Sequence, residues 1–262
     1  MRPSISKNLM TLDEMRQALA EGEALIFEAF PEREESIDEL QRRTVPAVLI
    51  KELSPANERH ISSAIFIANA IIDGDLDLSH FRFEKDFKIE QSRFTGLVDF
   101  SMATFEHAAS FAKSSFAKNI TGRAARITYD LNLERCQFRQ DVQLTDADIQ
   151  QIFSCVGSTF EGNVSLDRLY VGKAAIFSQD GKEPAEFKKN LLLHSAKIAG
   201  HLGARACVFH GTVVLDGSSV LKNVSFEKLD LRIVYDSQVC KLAINLYFAG
   251  LAAKLIPNWS RW

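Results

Sequence analysis

The clearest candidate for chemistry is Asp73-Gly74-Asp75-Leu76-Asp77, with Glu84 eleven residues after Asp73, a carboxylate spacing that suits a calcium-binding loop. Such a loop needs glycine at its sharp turn and a helix on each side. Leu78 occupies the turn position, and the flanks carry a repeat of another kind, described below. The three aspartates therefore read as solvated outward positions, and no metal is expected. The histidines are His60, His80, His107, His194, His201 and His210. Folded on the same repeat they fall in separate columns, with no metal site or catalytic dyad expected. Of the four cysteines, Cys136, Cys155 and Cys207 take inward places as small apolar residues, whereas Cys240 sits in a terminal segment where it could react. No GxSxG, phosphate-binding loop, GxGxxG before a helix, or HExxH occurs. The expectation is a non-enzymatic protein without a cofactor.

The elements that must position these residues come from a repeat of eleven. Stepping by eleven from Phe94 lands on Phe105, Phe116, Ile127, Phe138, Ile149, Phe160 and Val171, and backwards on Phe83, Ile72 and Ile61. After Val171 five extra residues, read as Lys182, Glu183, Pro184, Ala185 and Glu186, shift the register, which resumes at Phe187, Ile198, Phe209, Val220 and Leu231. Within a unit, positions 1, 5, 7 and 10 are apolar or small, as in Phe138, Val142, Leu144 and Ala147. Steps of two are strand alternation, and steps of three or four carry the chain round a corner. From Phe116 onward, phenylalanine alternates with Ile or Val at position 1, so one turn is two units, or twenty-two residues. Fifteen units from Ile61 to Asp230 make seven to eight turns, roughly 36 Å at about 4.8 Å per turn. This accounts for 19 Phe beside 4 Tyr and 2 Trp. The fold expected is an all-β solenoid.

Ala147-Asp148-Ile149-Gln150-Gln151 resembles the A(D/N)LXX pattern of the pentapeptide-repeat family, and Ala103-Thr104-Phe105, Ser92-Arg93-Phe94, Ala125-Arg126-Ile127 and Ala196-Lys197-Ile198 are similar to it. The resemblance implies a right-handed quadrilateral β-helix over roughly residues 61–235. The family's period is five. Here five alternates with six, so each turn is larger than four times five. Some members imitate duplex DNA and act on type II topoisomerases, which is one function the resemblance implies.

Composition narrows the rest. The 262 residues are 46% hydrophobic and 25% charged, with net charge −3, which excludes a disordered chain and a membrane bundle. Residues 1–60 hold 12 acidic and 8 basic side chains; the other 202 hold 22 and 23, with no basic stripe suited to nucleic acid. The start has no apolar stretch of signal-peptide length, so a cytoplasmic location is expected. Residues 1–60 read as an N-terminal helical cap, residues 61–236 as the β-helix, and residues 237–262 as a C-terminal helix and tail. Capping boxes Thr11–Glu14 and Ser36–Glu39 open two helices, and Thr44-Val45-Pro46 a third, running to about Leu53. Leu246, Tyr247, Leu251 and Leu255 form an apolar stripe followed by Trp259 and Trp262. Three roles stay open for it: a cap over Leu192 and Val214, a homodimer contact, or a membrane-surface anchor. The function expected is a protein-interaction scaffold with the loop Lys182–Glu186 as partner contact. The alternatives are a DNA mimic and a membrane-peripheral scaffold.

Overall fold

The computed structural model describes residues 10–225, apart from 33, 55–57 and 182. Residues 60–225 form a parallel β-solenoid of about eight turns with four faces. The first turn sets the order: β3 (His60–Ile61) begins face I, β4 (Ile65–Ala68) face II, β5 (Ile71–Asp73) face III and β6 (Leu76–Asp77) face IV. The four sheets hold 8, 9, 8 and 7 strands respectively. Register follows the repeat: Phe94 pairs with Phe116, Phe116 with Phe138 and Phe138 with Phe160, each a step of twenty-two.

The expected inward positions are the buried ones. Phe138, Val142, Leu144 and Ala147 are each at most 1% exposed, as are their counterparts on most rungs. On face III the rings of Phe94, Phe116, Phe138, Phe160, Phe187 and Phe209 stack at 4.6–4.9 Å between centroids and within 12° of parallel. Each such pair adds about 0.5–1.5 kcal/mol beyond its area burial. No single turn could bury this ladder; stacking makes it a continuous core.

The corners show what the residue types do not. From His80 to Arg168 every eleventh residue, position 9 of its unit, has φ between 52° and 65°. Only Gly157 among these is glycine. A left-handed conformation costs an L-residue about 1–2 kcal/mol. The cost is offset because the turn closes, with the Ala147 N–H donating to the Leu144 carbonyl (3.2 Å), while the N–H of Asp146 itself bonds to the next rung at Asp167 (2.9 Å).

The N-terminal segment is woven into the column. Helices α1 (Leu12–Ala20) and α2 (Ile37–Arg42) open with the expected capping boxes at Thr11 and Ser36. Between them β1 (Leu25–Ile26) pairs with β4 on face II. The third expected helix requires correction: Thr44–Pro46 is strand β2, paired with β5, and only Ala47–Lys51 is helical (α3). A residue before proline is pushed to extended backbone, and Val45, fully buried beside Ile72, gains more as a strand. Pro46, lacking an N–H, ends that strand. Met15, Leu19, Leu49 and Ile50 join the same buried cluster as the column. Phe66, outward on face II, is half-buried, with the Lys88 ammonium 5.3 Å from its ring centre.

Candidate functional site

Among the described residues, the cysteines and a column of serines lie inside the solenoid and serve to hold it. Ser92, Ser114, Cys136, Ser158 and Cys207 share the inward column at position 10. There the Cys136 N–H donates to Ser158 Oγ (3.0 Å), Ser158 Oγ donates to the Leu133 carbonyl (2.6 Å), and Cys136 Sγ donates to the Phe111 carbonyl (3.1 Å). Burial pushes the Cys136 and Cys207 thiols up to about 12 and Cys155 well above its ordinary value. The thiolate is the nucleophile, so thiols whose ionisation is opposed by burial are poor nucleophiles. Cys136, Cys155 and Cys207 should therefore resist a thiol reagent in the native state and react once the chain unfolds. Labelling followed by peptide mapping checks this, and native labelling of any of the three would contradict the burial. Since the folded thiols titrate higher than unfolded ones, their contribution to stability is complete below about pH 9 and declines as pH rises towards 12.

The aspartates of the calcium-like motif are equally committed. Asp73 Oδ1 accepts from the Thr95 hydroxyl (2.9 Å), Asp75 Oδ1 from the Leu97 N–H (2.8 Å), and Asp77 Oδ1 from the Ser79 N–H (3.0 Å) and hydroxyl (2.6 Å). Partial burial opposes the Asp77 charge, but Ser79 and Lys51 outweigh it and hold the carboxyl below its ordinary value. Among the described residues no group of three His, Cys, Asp or Glu side chains could hold a metal ion. The ladder at position 4 of face IV has the same logic: Asn119 Oδ1 accepts from the Asp141 N–H (3.2 Å), Asp141 from Asn163 (2.7 Å) and Asn163 from Asn190 (3.4 Å). Each rung's side chain satisfies a corner N–H of the next.

The histidines stand in separate columns, but two of them each meet a carboxylate: His60 Nε2 lies 3.0 Å from Glu84 and His210 Nε2 lies 2.8 Å from Glu186. Both pairs are twenty-four residues apart. Positions 11 and 2 flank the inward position 1, so residue i meets residue i+24 diagonally across adjacent rungs, as Arg82 also meets Glu106 (3.2 Å). A search at steps of twenty-two misses this. Sequence reasoning also missed a largely buried ion pair: Glu35, its side chain 4% exposed, lies 2.9 Å from Arg43 and 3.7 Å from Arg93, with both guanidiniums over the Phe30 ring (4.4 and 3.8 Å). It fastens the N-terminal segment to face III. Removing one partner of such a pair costs far more than the pair contributes.

The loop is displaced from its expected position. Ala185 is fully buried in the inward column between Ser158 and Cys207, and Glu186 begins the strand Glu186–Phe187. The five extra residues are thus Asp180–Pro184. They leave the corner between faces II and III, closed by the Asp180–Glu183 bridge and tied to Arg135 through Asp180. Of the expected partner-loop residues, Glu183 and Pro184 belong to this loop and Lys182 is outside the described residues. Leu246, Tyr247, Leu251, Leu255, Trp259 and Trp262 are outside them too, as is Cys240. Leu192 and Val214 share a column as expected. No helix among the described residues is long and apolar enough to cross a membrane.

Charge is unevenly shared among the faces. The outward positions 4, 6 and 8 of face IV hold Asp75, Asp77, Asp99, Asp141, Asp167 and Asp216 against Arg123 alone, a net of −5 from six acids and one base. No protein-family profile, curated protein or solved structure matches the chain.

Proposed function

We propose that the protein is a non-catalytic scaffold that binds another protein through its outer surface and the Asp180–Pro184 loop. The observation that carries this is the contrast between inside and outside. On face III position 1 is phenylalanine in six successive rungs, while position 2 beside it reads Thr95, Ala117, Arg139, Glu161, Lys188 and His210. A rigid column leaves its outward residues unconstrained by folding, and a loop on rigid elements is where recognition concentrates. The pentapeptide-repeat likeness fits this reading. Three free buried thiols suit a reducing compartment such as the cytoplasm. Deleting Asp180–Pro184 joins Gln179 to Ala185 and restores the twenty-two-residue step. The deleted form should melt as the wild type does but lose its partner in affinity capture. Undiminished recovery of every partner would remove the loop from the proposal.

A second reading rests on the acid excess of face IV, which invites comparison with duplex DNA. Seven rungs span about 30 Å, over which DNA carries about 18 charges at one per 1.7 Å. Face IV carries about a quarter of that, so we rank mimicry second. Salt-sensitive inhibition of gyrase supercoiling at micromolar protein would reverse the order. The homodimer and membrane-surface readings rest on residues 237–262 and are tested by light scattering and by flotation with liposomes.

A further inference from the structure

Face IV holds a shallow depression of about 310 Å³ centred on Thr121, spanning the rungs of Asp99, Thr121 and Gln143. Its volume lies at the lower end of the range for small-molecule sites, about 300–1,000 Å³. Among the described residues, the lining leaves several polar groups without a partner inside the protein. Asp99 gives one oxygen to the Ser101 N–H (2.8 Å), and Asn119 gives its oxygen to the Asp141 N–H (3.2 Å), which leaves a second carboxylate oxygen and an amide N–H₂. Among the described residues the Arg123 guanidinium makes no ion pair and the Gln143 amide no side-chain hydrogen bond, although Arg123 stands on the most acidic face. Leu97 adds an apolar patch at the rim.

The depression thus offers planar groups that donate (Arg123, Asn119, Gln143) and planar groups that accept (Asp99, Gln143), at zero net charge. Hydroxyl groups both donate and accept, so a ligand rich in adjacent hydroxyls can use both sets together. The guanidinium donates to two neighbouring oxygens at once, and the carboxylate accepts from two neighbouring hydroxyls. An anionic ligand would meet Asp75, Asp77, Asp141 and Asp167 on the same face. A basic peptide would meet Arg123 inside the depression. We propose that this depression binds a neutral saccharide, its ring edge on Asp99, Arg123 and Gln143 and its apolar ring face towards Leu97. The proposal is independent of the scaffold reading, because it uses none of the loop residues.

The test is titration calorimetry of the full chain against cellobiose, maltotriose, chitotriose and mannotriose, beside a sulfated disaccharide and an oligolysine peptide. At least one neutral sugar should bind. Arg123→Met and Gln143→Leu should each weaken it by about tenfold or more, the value of one charge-assisted or bidentate contact. Arg139→Met, exposed on face III, should leave the affinity unchanged, and melting curves should confirm that all variants are folded. The proposal is overturned if none of the four sugars binds, if the two depression variants bind as the wild type does, or if only the sulfated sugar or the peptide binds.

Discussion

Replacing Phe138 by alanine should destabilise the column by about 3–5 kcal/mol, the range for deleting a buried aromatic ring. Phe138 is 1% exposed and lies mid-stack, 4.9 Å from Phe116 at 7° and 4.7 Å from Phe160 at 8°. Neither neighbour can close the gap, because each is held in register by its own strand pairing on both sides. A solenoid is stabilised by its own turns and by the interfaces between them, so a hole at one rung weakens two interfaces at once. Urea titration should therefore show a lower midpoint and a broadened transition as the two halves uncouple. Phe138→Leu, which keeps most of the volume, should lose much less. A loss below about 1 kcal/mol for Phe138→Ala would mean that the ring stack is incidental to stability.

Gly122→Ala should also destabilise, and the effect should be reversible by a second change. Gly122 takes inward position 7 of its unit, where the following rungs have Leu144, Leu166 and Leu193. A Cβ at this site would lie 2.0 Å from Cε2 and 2.5 Å from Cζ of the Phe100 ring. That ring is itself confined by Phe105 and Phe111, with centroids at 6.0 and 5.9 Å. The Phe100 ring thus fills space that a side chain at position 122 of the adjacent rung would need. Overpacking of this kind costs about 1–3 kcal/mol. Phe100→Leu should relieve it, so the double variant should be more stable than the sum of the single losses by about 1 kcal/mol or more. Simple additivity would show that the backbone shifts instead and that the two sites are not coupled.

Much of the fold is legible because the interior is repetitive. Every rung must fill the same inward places, so apolar residues recur at a fixed step from Ile61 to Val171 and again from Phe187 to Val220. What was not legible depends on contacts between rungs or on backbone geometry. The left-handed residues at position 9 include His80, Gln91, Met102 and Lys113, and no glycine signal marks them. Pro46 suits the first turn of a helix as well as the end of an edge strand, and only the pairing of Val45 with Ile72 decides between them. Counting forward from Val171 places the insertion two residues late, because the need for Ala185 to fill an inward place emerges only when Ser158 and Cys207 are seen above and below it. The depression on face IV was illegible for a related reason. Asp99, Thr121 and Gln143 are ordinary outward residues until the rungs are stacked.

The central claim is that the interior serves the fold and the exterior serves a partner. Site-specific photo-crosslinking in cells tests this most directly. The crosslinker would be placed at Glu183 in the loop and, in separate variants, at exposed Arg126, His201, Arg139 and Asn190, one on each face. The account predicts a discrete protein adduct of reproducible mass from Glu183 and from the faces beside it. It also predicts loss of the adducts on those faces when Asp180–Pro184 is deleted. Absence of any protein adduct at all five positions, with the variants folded, would contradict it.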